Sequence, residues 1–153
     1  MVQIWTDGSH ERTKDGTRCG IGILIRRLTL DCENRQQKVA EHRFSVGLKN
    51  VADNNLAELY AIEYALYKLS QIKLHPKDKK LVIITDSKTA IGYITGKNIP
   101  LNPTYKEVVG DVLFRLQRYD YKIYWKKGHS DCERQNLCDA LAKKGRIQHA
   151  YKY

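Results

Sequence analysis

The segment LVIIT at residues 81–85 most constrains the fold, because it is an apolar run without polar alternation. This pattern is typical of a central strand that is covered on both faces. A chain built around such a strand needs helices on both sides of a sheet. The sequence has 153 residues, which suffices for one domain with such a core, so we expect a single domain over residues 1–153.

The remaining elements follow from the spacing of apolar residues. Short apolar or alternating segments predict strands, and apolar residues at three- and four-residue steps predict helices. The predicted strands are residues 1–6, 20–28, 38–47, 81–85 and 121–125. The predicted helices are residues 55–74, with Asp53 or Asn54 as N-cap, 87–95, 105–119 and 135–144, with Gly145 as C-cap. This order predicts an α/β fold whose five-stranded mixed sheet has three antiparallel and then two parallel strands, flanked by helices.

Charge and cysteine content narrow the class of protein. Lys and Arg number 27 and Asp and Glu 17, giving a net charge of +10, which indicates either a polyanionic partner such as nucleic acid or an ordinary basic surface. No apolar run approaches membrane length, so we expect no membrane partner.

The four cysteines form no C-x-x-C pair, which argues against a zinc ribbon. Without a signal peptide at the start, we expect free thiols and a reducing, cytoplasmic setting.

Two aspartates follow the same local pattern, an apolar run and then a threonine. They are Asp7 in WTDGS and Asp86 in IITDS. If the first and fourth strands are neighbours, the two carboxylates meet at one edge of the sheet. Close carboxylates repel, so one stays protonated or a cation lies between them. Oxygen ligands favour magnesium or manganese.

Three more residues are candidates for the same edge. Glu58 shares a helical stripe with apolar residues near the start of the first helix, whereas Glu63 lies a turn deeper. Asp139 lies among small apolar residues in the last helix, and His129 precedes it by ten positions. Each residue also has a purely structural alternative. These are a turn aspartate for Asp7, an N-cap for Asp86, a lysine partner for Glu58, a helix-dipole partner for Asp139 and a loop histidine for His129. The joint pattern of four carboxylates and one histidine favours a functional site.

Five segments together resemble the type 1 ribonuclease H family. They are WTDGS, DNNLAELYAIEYAL, IITDSKTAI, WKKGHSD and NLCDALAKK, which fall in the family's order and span nearly the whole chain. The resemblance implies a ribonuclease H-like fold and hydrolysis of the RNA strand of an RNA–DNA hybrid by two metal ions. It implies products with 5′-phosphate and 3′-hydroxyl ends.

The resemblance also assigns roles to residues. Asp7, Glu58, Asp86 and Asp139 match the family's ligands for two Mg²⁺ ions, with Mn²⁺ as an alternative, and Asp86 is best placed to bridge both ions. His129 matches a mobile residue that assists proton transfer or product release. The implied substrate contacts are Asn54 and Asn55, and Gln135 in place of an asparagine. Ser87 and Lys88 lie next to Asp86 in the sequence, where they could contact a phosphate. Capping is the alternative role for Asn54, Asn55 and Gln135. We expect a monomer.

Some segments depart from the family pattern. Residues 10–20 are charged where the family is glycine-rich, and Asp53 replaces a phosphate-binding threonine, so both could weaken hybrid binding. Residues 96–105 are too few for the basic protruding helix of some members.

Two other functions stay open: a DNA-cutting nuclease of the same superfold and a degenerate nucleic-acid-binding module. The sequence also leaves open whether the chain acts alone or belongs to a larger polypeptide such as a reverse transcriptase.

Overall fold

One mixed sheet organises the chain. The computed structural model describes residues 1–14, 16–74, 78–127 and 132–151, with side chains through Ile147. The strands are β1 Val2–Thr13, β2 Gly16–Leu30, β3 Gln36–Leu48, β4 Lys80–Thr85 and β5 Asp120–Trp125. They lie in the order β3-β2-β1-β4-β5. The first three strands pair antiparallel, and β4 pairs parallel with both β1 and β5. The predicted fold class and strand directions are therefore confirmed.

Helices cover both faces of this sheet. They are α1 Asn54–Gln71, α2 Lys88–Ile94, α3 Pro103–Leu116 and α4 Glu133–Tyr151. Helices α1, α2 and α3 enclose the larger core, to which the first strand contributes Val2 and Ile4 and the fourth Leu81 and Ile83. Helix α4 packs on the opposite face with a smaller cluster, formed by Trp5, Leu24, Ile84 and Cys138. No helix in the described ranges is long and apolar enough to cross a membrane.

Polar residues set the start of three helices. Asp53 caps α1 by accepting a hydrogen bond from the backbone N–H of Leu56 at 2.8 Å. Ser87 caps α2 in the same way, and Asn102 caps α3 just before Pro103. These residue types satisfy the N–H groups that a helix start leaves unpaired. Of the two predicted N-caps of α1, Asp53 is the one that the structure uses, and Asn54 is the first helical residue. The alternative role of Asp86 as a helix cap is wrong, since Ser87 holds that position.

The largest difference from the predicted elements is the length of the first two strands. β1 continues to Thr13 instead of ending at Thr6, and β2 begins at Gly16 instead of Gly20. Thr13 pairs with Gly16, so most of the charged 10–20 segment is a β-hairpin rather than a loop. The side chains of this hairpin are largely polar and exposed. The two strands are held together by backbone hydrogen bonds, so their sequence lacks the apolar alternation by which a strand is usually predicted.

Helix α4 is also longer than predicted. It begins at Glu133 and continues past Gly145, which the sequence predicted as its C-cap. A Cβ on Gly145 would lie 2.6 Å from the backbone oxygen of Val46 in β3. Gly145 is therefore a packing residue that lets the helix approach the sheet, not a terminator. The other elements agree with the prediction to within three residues at each end.

Candidate active site

The carboxylates of Asp7 and Asp86 come together where β1 stops pairing with β4. The parallel pairing of β1 with β4 ends at the pair Trp5 and Ile84. Asp7 and Asp86 each lie two residues beyond that pair, and at Asp7 the strand β1 continues with β2 alone. The notch left beside β1 is where both side chains lie. The prediction that Asp7 follows the end of its strand is wrong, because Asp7 lies inside β1, but the predicted proximity of the strands is correct.

Helix α1 brings a third carboxylate, that of Glu58, to this notch. A Cβ on Gly8 would lie 2.9 Å from the carbonyl carbon of Ala57 and 3.0 Å from the backbone nitrogen of Glu58. Glycine at position 8 therefore allows the first turn of α1 to lie directly over β1. As a result, one carboxylate oxygen from each of Asp7, Glu58 and Asp86 lies within 4.8 Å of the other two. We call these three residues the carboxylate trio.

Asp139 lies beside the trio but outside that 4.8 Å group. Its helix, α4, crosses β2 at two glycines: a Cβ on Gly22 would lie 2.0 Å from the backbone oxygen of Cys138. The other is Gly20, whose Cβ would meet α4 just as closely. Asp139 is close enough to Asp7 to hydrogen-bond with it and to repel its charge. Its Oδ2 also pairs with Nζ of Lys143 at 3.0 Å.

The site is crowded with negative charge in a buried setting. Burial, and then repulsion from Asp86, raises the pKa of Asp7 from 3.8 to about 7. Burial, followed by repulsion from Asp7 and Asp86, raises the pKa of Glu58 well above 4.5. Both shifts have the same physical cause, since water is excluded while acidic groups face one another. At neutral pH the trio therefore holds protons that a cation would displace.

The donor set fits divalent metal ions. Among the described residues, Oε2 of Glu58 is a buried oxygen without a hydrogen-bond partner. An unpartnered buried carboxylate oxygen is unfavourable unless a cation or proton satisfies it. All the oxygens in the group belong to carboxylates, which favours hard ions such as Mg²⁺ or Mn²⁺ over zinc or copper. Asp7, Glu58 and Asp86 could hold such ions, with Asp139 at the rim.

The raised pKa of Asp7 leads to a prediction on stability. In the unfolded chain an aspartate titrates near its ordinary value, so without metal the free energy of unfolding falls as pH rises from about 4 to 7. Asp7→Asn removes this effect and should stabilise the metal-free protein by roughly 2–4 kcal/mol at about pH 8. The gain should vanish near pH 4. Thermal unfolding in chelator at both pH values measures it.

A matched measurement with Mg²⁺ separates charge from packing. Added Mg²⁺ should stabilise the wild type more than Asp7→Asn, because the variant lacks a ligand. A gain of equal size at pH 4 and pH 8 would show that the substitution acts through packing and not through the buried charge.

The predicted contacts Asn54, Asn55 and Lys88 lie at the rim of a cavity of about 370 Å³. Its lining comprises Asn54, Asn55, Glu58, Asp86, Ser87, Lys88, Thr89 and Trp125. Both asparagines are exposed at the start of α1, and neither is its N-cap, which is Asp53. The hydroxyl of Ser87 is buried and accepts from the backbone N–H of Ala90 at 3.1 Å, so it already has a structural role.

Gln135 does not lie at this rim. It is inside α4 and only 1% exposed, and its Nε2 donates to the backbone oxygen of Thr6 at 3.4 Å. Its Oε1 is buried without a hydrogen-bond partner in the described structure. Gln135 ties α4 to β1 one residue before Asp7. Its role as a hybrid contact stays a prediction, and the capping alternative does not apply because α4 begins at Glu133.

Two further expectations concern His129 and Asp53. His129 lies outside the described residues, in the gap 128–131. Asp53 accepts a hydrogen bond from the hydroxyl of Tyr105 in α3, while it also caps α1. This contact ties α3 to the start of α1, and burial, followed by hydrogen bonding to Asp53, raises the pKa of the Tyr105 phenol. The effect of Asp53 on hybrid binding stays a prediction.

Sequence reasoning missed Trp125 and the packing glycines. Trp125 ends β5, and its Nε1 donates to the backbone oxygen of Asp86 at 3.0 Å. A tryptophan at the end of a strand, just before the KKGH segment, was an available signal. Gly20 and Gly22 lie two apart on one face of β2, a spacing that indicates close approach of another backbone.

A five-stranded mixed sheet with buried carboxylates beside its β1–β4 notch defines a ribonuclease H-like protein. The RNase H family model matches residues 1–147, and the chain belongs to this family. No curated protein sequence matches the chain.

Solved structures of the same family share the fold. RNase H1 from the halophilic archaeon Halobacterium salinarum is 19% identical, with a TM-score of 0.69 over 96% of this chain and 98% of that one. LC11-RNase H1, isolated from compost, is 21% identical, with a TM-score of 0.70 over 97% of each chain. The RNase H domain of PFV is 24% identical, with a TM-score of 0.70 over 96% of this chain and 94% of that domain.

Proposed function

We propose that this chain is an endonuclease that hydrolyses the RNA strand of RNA–DNA hybrids with two divalent metal ions. The observation that carries the proposal is the carboxylate trio, in which one oxygen from each residue lies within 4.8 Å of the other two, beside a cavity. Membership of the RNase H family supports the nuclease class. The products would carry 5′-phosphate and 3′-hydroxyl ends.

The chain's own residues contribute ligands and position. Asp7, Glu58 and Asp86 would hold the ions, with Asp139 completing the set from α4. When bound, two such ions activate the attacking water and stabilise the leaving oxygen of a phosphodiester. Strand β4 and helix α1 keep Asp86 and Glu58 in place through backbone pairing and burial, so little rearrangement is needed to receive ions. We expect Mg²⁺ to serve, with Mn²⁺ as a substitute.

Selection of a hybrid requires contact with the 2′-hydroxyl groups of the RNA strand. Asn54 and Asn55 are exposed at the cavity rim, next to Glu58 in α1, where their amides can reach the minor groove. LC11-RNase H1, a relative of 20% identity and TM-score 0.68, has been solved in complex with an RNA/DNA hybrid. The net charge of +10 supports binding to the phosphates of such a duplex.

We propose that the chain acts as a monomer in a reducing, intracellular setting.

Cleavage of end-labelled substrates tests the function. Purified protein is incubated with an RNA–DNA hybrid, duplex RNA or duplex DNA, in Mg²⁺, Mn²⁺ or chelator. The expected result is metal-dependent cutting of the RNA strand of the hybrid only. Comparable cutting of duplex DNA would assign the chain to DNA nucleases of the same superfold. A folded protein that binds the hybrid equally with and without metal, and cuts nothing, would be a binding module.

His129 provides a separate prediction on rate. His129→Ala should slow turnover by about 10- to 100-fold without ending it, because an assisting proton-transfer group is helpful but not a metal ligand. Single-turnover and steady-state rates on the labelled hybrid would show whether the chemical step or product release is slowed. A loss as severe as that of a carboxylate ligand would contradict the assisting role. His10→Ala, in the β1–β2 hairpin, serves as the control.

A further inference from the structure

Trp125 and Lys88 form a pair at the edge of the carboxylate site. Trp125 is the last residue of β5 and lies opposite Thr85, the last residue of β4. The next residue along, Lys126, donates its backbone N–H to the oxygen of Thr85 at 2.8 Å. The indole Nε1 of Trp125 donates to the backbone oxygen of Asp86 at 3.0 Å, which anchors one edge of the ring, although the residue is 46% exposed. An exposed aromatic ring fixed in this way is a rigid surface.

The ammonium group of Lys88 lies on this surface. Lys88 is the first residue of α2, and its Nζ is 4.3 Å from the centre of the Trp125 ring. A cation over the face of a tryptophan is attracted by the electron-rich ring. A lysine otherwise has four flexible carbon–carbon bonds and strong hydration, so its head group is poorly localised. The ring therefore gives the Lys88 charge a defined position two residues from Asp86.

The pair separates two adjacent cavities. The cavity of about 370 Å³ is lined by two of the carboxylates, Glu58 and Asp86, and by the two asparagines. A second cavity, of about 380 Å³, continues along α2 and shares Lys88, Thr89 and Trp125 with the first. Lys97 and Asn98 lie at its far side. A polynucleotide strand seated at the carboxylates and extending toward α2 passes over the Lys88–Trp125 pair.

We infer that Trp125 is a positioning residue for the substrate: its ring holds the Lys88 ammonium against a backbone phosphate next to the one that is cut. The inference rests on the proposed function, since it requires a polynucleotide strand at the carboxylate trio. Metal ions at the trio would bind the phosphate that is cut, whereas the neighbouring phosphate lies beyond them and needs a cation of its own. A fixed cation at the border attracts that phosphate and sets the register of the strand.

Salt dependence of hybrid binding tests the phosphate contact. Dissociation constants are measured for an intact hybrid between about 50 and 200 mM KCl, with Ca²⁺ in place of Mg²⁺ and intactness checked on a gel. Lys88→Gln should reduce the slope of log affinity against log salt by about 0.9, the value for one phosphate contact, and weaken binding about eightfold at 0.1 M salt. Lys80→Gln removes the same charge at the other end of β4 and should leave the slope unchanged.

Substitutions of Trp125, with a matched control, test the role of the ring. Trp125→Leu should lower the slope as much as Lys88→Gln does, and the double variant should show almost no further loss. Trp125→Phe keeps an aromatic face but loses the Nε1 donor, so its slope should lie between those of the wild type and Trp125→Leu. Tyr124→Leu, at the neighbouring exposed position of β5, is the matched control and should retain the full slope. If the ring acted only by holding Asp86 through Nε1, the Phe and Leu variants would lose the slope equally.

A fluorescence measurement covers the case in which Trp125→Leu does not fold. Trp5 is buried, so Trp125 is the exposed indole, and Lys88→Gln should shift its emission by removing the cation from the ring. An unchanged slope in Lys88→Gln, or a retained slope in folded Trp125→Leu, would overturn the inference while leaving the nuclease proposal intact. A reduced slope in Lys80→Gln would also overturn it, since the slope would then report only total charge. A wild type that neither binds nor cuts hybrid would overturn both proposals.

Discussion

Asp86→Asn should lower hydrolysis of the hybrid by at least about a thousandfold, because it removes one carboxylate ligand from the trio. Asp86 follows β4 directly, and its backbone oxygen is held by Trp125, so its position is fixed before any ion binds. Asparagine has nearly the same shape and leaves that backbone bond intact. The fold should therefore persist, and hybrid binding should be partly retained. Steady-state cleavage in Mg²⁺ and in Mn²⁺, with hybrid affinity in Ca²⁺, measures the effect.

The matched control for Asp86→Asn is Asp120→Asn. Asp120 is an exposed carboxylate at the opposite end of the sheet, at the start of β5. The control variant changes the net charge equally and should cut at the wild-type rate. If Asp86→Asn retained more than a tenth of the wild-type rate while folded, Asp86 would not be a central metal ligand. If it lost its fold instead, the role assigned to Asp86 would be structural.

Gly22→Ala should destabilise the protein by about 3 kcal/mol or more and displace helix α4. The added Cβ would lie 2.0 Å from the backbone oxygen of Cys138 and 2.7 Å from the backbone nitrogen of Ala142. Both partners are backbone atoms of one helix, so no side-chain rotation relieves the contact. Helix α4 must move as a unit, and it carries Asp139. Thermal unfolding should show a melting temperature lower by about 10 °C, and the cleavage rate of the folded fraction should fall.

Gly110→Ala is the control for this substitution. Gly110 is an exposed residue within α3, and a Cβ there would meet no atom within 4 Å. Alanine should stabilise that helix by roughly 0.5–1 kcal/mol and leave cleavage unchanged. A Gly22→Ala protein as stable as the wild type would mean that α4 does not lie as close to β2 as the structure places it.

The metal-binding candidates could be predicted because each carries a local signal. Asp7 and Asp86 follow apolar runs, and Glu58 occupies an apolar stripe where a charge is unexpected. The pairing of residues 10–13 with residues 16–19 could not be predicted from its pattern, since most of these side chains are polar and strand pairing is a backbone property. The extent of α4 could not be predicted either, because Gly145 is read as a helix terminator unless the adjacent strand is known.

By itself, the sequence determined the order of strands and helices, the interior position of β4 in the sheet and the four candidate carboxylates, because periodicity and residue chemistry are local properties. Only the tertiary structure decided how close the helices lie to the sheet, since that distance depends on glycines facing other backbones at Gly8, Gly20 and Gly22. It also decided that Asp7 lies inside β1, that Gln135 is buried, and that Trp125 meets both Asp86 and Lys88. These are contacts between residues far apart in the chain, for which a single sequence contains no local signal.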